Sequence, residues 1–162
     1  MTEGLFPDLK WHHVGFSVND IKAAIEFYGD VFGMVVEDRK YIPPIDTHLV
    51  FLRRDDFRFE IFQKAGSTPV PAHRQAPNTD LAEQGTKHPC FSVGNCQRAL
   101  DILHARPDVQ IIGIIRKPGD PMIAEENPTL GPDDPRPPAA AFFFKDPCDL
   151  IVEIVDAQNF PT

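Results

Sequence analysis

The chain lacks any cluster of lysine or arginine: 16 basic residues against 24 acidic ones leave a net charge of −8. A surface of that sign repels phosphate, which argues against nucleic acid or an anionic membrane as partner. No apolar stretch approaches the ~20 residues needed to cross a bilayer, the longest run being Ala139 to Phe144. The opening MTEGLFPDLKWHH has neither the basic nor the apolar region of a secretory signal. A soluble, cytoplasmic chain without a membrane partner is therefore expected. Cysteine is scarce as well. Cys90, Cys96 and Cys148 are odd in number and form no CxxC, which excludes a disulfide framework and a thiolate zinc knuckle and predicts reduced thiols.

What is present is enough apolar residue, 42% of 162, to bury one sizeable core, so residues 1–162 are expected to form a single domain. Within it lies a repeat. A shift of 75 positions lays His13 on His88, Phe16 on Phe91, Ser17 on Ser92, Val18 on Val93 and Ala24 on Ala99, and it brings Asp20 onto Asn95. Each copy opens on a period-2 segment, with Val14, Phe16 and Val18 or Phe91 and Val93 on one face and the histidine on the other. Asp20 and Asn95 are suited to cap the helices that follow, whose apolar residues recur at helical spacing, and Gly33 is placed to end the first. Three short strands complete each copy: 34–39, 48–53 and 57–63 in the first, 109–116, 141–145 and 150–155 in the second. The fold class is thus α+β, two tandem βαβββ units at 11–64 and 87–157 joined by a proline-rich connector, 65–86.

The second copy is longer by about 18 residues, and the excess falls between Arg116 and Ala141, where seven of the 17 prolines occur. Proline has no N–H to give, so this segment is not expected to join a sheet ladder. A loop bordering a pocket, over 117–138, is the functional expectation.

Each copy also ends on a strand with one glutamate amid apolar residues, Glu60 in RFEIF and Glu153 in IVEIV. Such a carboxylate is costly to bury without a partner. Two glutamates and two register-matched histidines offer a divalent cation two carboxylates and two imidazoles, so His13, Glu60, His88 and Glu153 are the candidate metal ligands. His12 has the opposite parity to His13 and is expected to face away. On the histidine face, strand parity adds Gly15, Ser17, Arg58, Phe62, Cys90 and Ser92 as pocket-facing groups, with Arg58 a candidate anchor for a substrate carboxylate.

HVGFSVNDIKAAIEFYGDVFGM, FEIF, HPCFSVGNCQRAL and FFFKDPCDLIVEI together resemble the vicinal oxygen chelate (VOC) superfamily, which includes glyoxalase I, methylmalonyl-CoA epimerase, extradiol dioxygenases and fosfomycin- and bleomycin-resistance proteins. The resemblance spans nearly the whole chain. It implies a cupped, barrel-like mixed sheet around one metal ion (Zn, Ni, Co, Mn or Fe), a small-molecule substrate and a homodimer. The four ligand positions of the glyoxalase I pattern fall on His13, Glu60, His88 and Glu153. Ser17 stands where glyoxalase I has an arginine for the glutathione carboxylate, which argues against glutathione. The Asp-Pro-Asp-Gly turn of the family reads Asp146-Pro147-Cys148-Asp149.

The number of carboxylates discriminates among activities. An extradiol ring-cleaving dioxygenase wants three open metal positions, which two histidines and one carboxylate leave, whereas a fourth protein ligand leaves two. That favours redox-neutral proton transfer beside a carbonyl or acyl oxygen, as in a lyase, isomerase or epimerase, with Glu60 or Glu153 as the base. The alternatives are a dioxygenase and a non-catalytic, antibiotic-binding protein.

Overall fold

The computed structural model describes residues 5, 8–79 and 81–160. Its elements follow the repeat: β1 (Val14–Ser17), α1 (Ile21–Phe32), β2 (Val35–Ile42), β3 (Thr47–Arg54) and β4 (Phe57–Lys64), then β5 (Cys90–Val93), α2 (Cys96–His104), β6 (Gln110–Ile115), β7 (Ala141–Lys145) and β8 (Ile151–Asp156). They form two compact units that divide between Pro69 and Val70, inside the connector. The strands make two four-stranded mixed sheets, ordered β1-β4-β3-β2 and β5-β8-β7-β6. In each, the first strand runs parallel to the last and the other pairs are antiparallel. No helix among the described residues is long and apolar enough to cross a membrane.

Local chemistry sets the helix ends. The Asp20 carboxylate accepts the Lys22 and Ala23 amides at 2.9 and 3.1 Å, and Asn95 accepts the Arg98 amide at 2.9 Å, satisfying donors that a helix start leaves orphaned. Gly33 closes α1 in the left-handed region, φ 63°, where a side chain would be strained. The buried α1 residues Ala24, Phe27, Tyr28 and Phe32 pack on the Val50, Leu52, Phe59 and Ile61 face of the first sheet. In the second unit Leu100 and Leu103 cover Ile114, Phe142, Val152 and Ile154. Each sheet therefore spends one face on its own helix, and the other face is left to carry the glutamate.

The repeat reaches further than the sequence alone suggests. A bulge interrupts β2 between Val36 and Asp38 and another interrupts β6 between Ile111 and Gly113, positions related by the same shift of 75. The long insert corrects one expectation: Ile123 exchanges two backbone hydrogen bonds with Ile114, 2.8 and 2.9 Å, and so adds a one-residue rung to the edge of β6. It can do so because Ile123, lying between Pro121 and Pro128, keeps its N–H. Arg116, buried, grips Glu125 through two hydrogen bonds of 2.9 and 2.5 Å and reaches the carbonyls of Pro128 and Pro137. Arg136 adds bonds to Glu125 and Asp134, each 2.6 Å. The insert is thus held by charge-assisted bonds in place of a ladder.

Candidate metal centre

Residues directly opposite in a ladder point to the same side. In the first unit Gly15, Glu60, Phe51 and Asp38 make one such row across β1, β4, β3 and β2; in the second the row is Cys90, Glu153, Phe143 and Gly113 across β5, β8, β7 and β6. At the end of each row stands a histidine just ahead of the first strand. His13 Nε2 lies 3.1 Å from Glu60 Oε2, and His88 Nε2 lies 3.1 Å from Glu153 Oε2. Both imidazoles meet a phenylalanine edge-on, His13 on Phe51 at 5.5 Å and His88 on Phe143 at 5.2 Å between ring centres.

The two pairs are therefore near copies in geometry, down to the aromatic ring that orients each histidine. Phe51 and Phe143 were not among the candidate residues. Their signal lay in their place opposite the glutamates, which needs the strand register to be seen.

In both pairs the separation of nitrogen and oxygen matches two neighbouring ligands that share one cation at about 2.1 Å each. Each unit thus offers half of the donor set expected from the sequence. Among the described residues no group of three or more His, Cys, Asp or Glu side chains is drawn together as a metal cluster.

The carboxylates differ in what surrounds them. Cys90 stands across from Glu153, and burial together with that carboxylate pushes its thiol up to about 12. Cys90 is exposed as a residue, and its thiol stays neutral as a donor to the carboxylate. Burial raises the Glu153 pKa, but hydrogen bonds from His88 and Cys90 outweigh it and hold the carboxyl below its usual 4.5. Across β1 from Glu60 is Gly15, the side chain within hydrogen-bond reach is His13, and the Lys40 ammonium acts on the same carboxylate through space.

The remaining candidates divide. Ser17 and Ser92 are exposed, one ladder step beyond Gly15 and Cys90, and Phe62 is half-buried opposite Ser17. Arg58, expected as a free anchor for a substrate carboxylate, is instead gripped by Glu37 through bonds of 2.6 and 3.0 Å. Glu37 is the residue that the β2 bulge leaves out of the ladder, and the charge of Arg58 is already matched. His12 also departs from expectation. β1 begins only at Val14, so strand alternation does not govern the preceding residues, and His12 folds back to place its Nδ1 2.6 Å from His13 Nδ1.

The insert touches the glutamate face of the second unit. Met122 covers Gly113, whose missing side chain makes the room: a β-carbon there would lie 2.3 Å from the Met122 sulfur. A larger cleft of about 620 Å³ opens where the two ends of the insert meet the start of α2, and its lining includes none of His88, Cys90 and Glu153.

A family model described as Glyoxalase/Bleomycin resistance protein/Dioxygenase superfamily matches residues 10–154. No curated protein matches by sequence. Among solved structures, a glyoxalase family protein from Enterococcus faecalis is similar with a TM-score of 0.61 and 18% identity over 90% of this chain and 96% of that one. The trypanothione-dependent glyoxalase I of Leishmania major gives 0.58 and 18% over 90% and 85%, and a lactoylglutathione lyase from Agrobacterium tumefaciens 0.55 and 18% over 96% and 99%. At these identities the likeness is one of fold. With the family model spanning nearly the whole chain and the tandem βαβββ units in place, the chain belongs to the glyoxalase/bleomycin resistance protein/dioxygenase superfamily.

Proposed function

We propose that the chain is a metal-dependent lyase, isomerase or epimerase that moves a proton on a carbon next to the carbonyl or acyl group of a small molecule. The observation that carries this is the pair of repeat-related His–Glu contacts, both 3.1 Å. One such pair gives a cation only two ligands; His13, Glu60, His88 and Glu153 together give four, with room left for two substrate oxygens. A divalent cation so held would supply Lewis-acid stabilisation of negative charge on the substrate.

The protein's own residues divide the remaining work. Glu153, ionised and bound by both His88 and Cys90, serves as the anchored carboxylate. Glu60 has one hydrogen-bonding side chain, His13, and a glycine across β1 from it, so its Oε2 is the better placed to leave His13, take the proton and return it. Phe51, Phe62 and Phe143 supply the apolar surroundings that strengthen such charge interactions. Arg58 is committed to Glu37 and Ser17 is small and neutral, which supports a substrate other than a glutathione adduct.

The test has two stages. Elemental analysis of protein purified without chelator is expected to give metal in the wild type and to show loss in both His13→Ala and His88→Ala; metal-free wild type would favour a binding protein. Anaerobic incubation of the metal-loaded protein with α-oxo thiohemiacetals, 2-substituted acyl-CoA esters and catechols in deuterated water should then give carbon-bound deuterium, abolished by Glu60→Gln. Turnover of catechols alone, and only with Fe(II) and O₂, would overturn the reading.

A further inference from the structure

We propose that His12 is a positioning residue for His13, holding it through an imidazole–imidazole hydrogen bond whose proton changes sides when a cation binds. This rests on His13 being a metal ligand. The geometry is a chain of short contacts: Glu60 Oε2 to His13 Nε2 at 3.1 Å, His13 Nδ1 to His12 Nδ1 at 2.6 Å, and both rings edge-on to Phe51.

Two nitrogens at that distance must share one hydrogen. At a pH where both rings are neutral, a Glu60 carboxylate accepts from His13 Nε2–H. Its Nδ1 is then bare, and His12 is the donor, in its Nδ1–H form. A cation can use His13 only through a bare Nε2. The Nε2 proton leaves to solvent, the shared hydrogen passes from His12 Nδ1 to His13 Nδ1, and His12, now the acceptor, takes a proton from water at its exposed Nε2. Protons balance, and both rings remain neutral throughout. The outcome is the arrangement by which metal-bound histidines are usually oriented, with the far N–H donated to a fixed acceptor.

The second unit provides an internal control. Lys87 occupies the position 75 residues beyond His12; it has no acceptor atom to offer His88, and its ammonium donates to the Glu83 carbonyl at 2.6 Å. The device belongs to the first unit alone.

Protein with ¹⁵N-labelled histidine, observed by long-range proton–nitrogen correlation near pH 8 where an ordinary imidazole (pKa ~6.5) is neutral, tests this. Metal-free wild type should show His12 as Nδ1–H and His13 as Nε2–H, and one equivalent of Zn²⁺ should convert His13 to Nδ1–H. His12→Phe should bind Zn²⁺ about ten- to a hundredfold more weakly. His12→Asn, whose amide can both accept and donate, should stay within a few-fold of wild type. The proposal is overturned if His12 is Nε2–H in the metal-free protein, or if His12→Phe binds Zn²⁺ as wild type does. Should the wild type take up no Zn²⁺, the metal reading itself falls, while the His12 Nδ1–H signal of the metal-free protein still decides whether the hydrogen bond between the two rings exists.

Discussion

Gly15 faces Glu60 across the parallel pair β1–β4, so closely that a β-carbon at Gly15 would stand 3.3 Å from Glu60 Oε2 and 3.3 Å from the Phe62 ring. The corresponding pair in the second unit, Cys90 and Glu153, puts a whole thiol in that position. Duplication has therefore kept the ligand geometry and differentiated the carboxylates, one with a bare glycine packed against it and one with a second donor.

The first consequence concerns packing. Gly15→Ala should destabilise the protein by about 1–3 kcal/mol through overpacking and should weaken metal uptake, because Glu60 must shift. Cys90→Gly crowds nothing; it should cost about 1 kcal/mol in added chain freedom, besides the thiol hydrogen bond that Glu153 loses. Urea unfolding with a zinc titration checks both. Equal effects of the two substitutions would mean that the space at Gly15 is immaterial.

Much of this was legible in the sequence, for identifiable reasons. Strands such as Ala141–Lys145 and the helix from Ile21 to Phe32 are marked by clean periodicity and by caps. His13 and His88 stood out by the shift of 75, and Glu60 and Glu153 because each interrupts an apolar strand. β2 was foreseen only as far as Arg39 and runs to Ile42, since an edge strand of charged residues shows no alternation. Phe51 and Phe143 were hidden because an apolar residue in an apolar run reads equally well on either face. The Glu37–Arg58 pair needed a bulge that no local pattern announces, and the His12–His13 contact needed to be known as lying ahead of the strand.

The insert should depend on one buried ion pair. Arg116 and Glu125 have side chains only 7% and 8% exposed, and Arg116 is the first cause of the lowered pKa of Glu125. Arg116→Leu leaves that carboxylate with Arg136 alone and should cost about 3–5 kcal/mol. Limited proteolysis should then cut within 117–138, while the wild type resists. An insert equally resistant in both would show that the prolines and the Ile114–Ile123 rung suffice.

Met122 and Gly113 make a second, apolar fastening on the same segment. Gly113→Ala drives a β-carbon to within 2.3 Å of the Met122 sulfur and 2.5 Å of its Cγ, so the Met122 side chain must swing off the sheet. A cost of about 1–3 kcal/mol is expected. Adding Met122→Ala should recover most of it, and a double-mutant cycle by urea unfolding measures the coupling. Additive effects would place the strain elsewhere.

The hydrogen bond from Cys90 to Glu153 should be visible in how stability depends on acid. Glu153 titrates below its usual 4.5 in the folded protein, so it contributes stability that is complete above the unfolded-state pKa and is lost as pH falls through the folded value. Cys90→Ala removes one of the two donors that outweigh burial, and the folded pKa should move back up. The mutant then has less of this stability to lose. Its destabilisation relative to wild type should be larger near pH 7 than in acid below the folded-state pKa of Glu153, where the carboxyl is protonated and only lost packing remains. Cys90→Ser, which keeps a donor, should show a smaller difference between the two pH values. Urea unfolding of the three proteins at each pH decides it, and a Cys90→Ala penalty that does not change with pH would mean that the thiol packs against Glu153 without holding its charge.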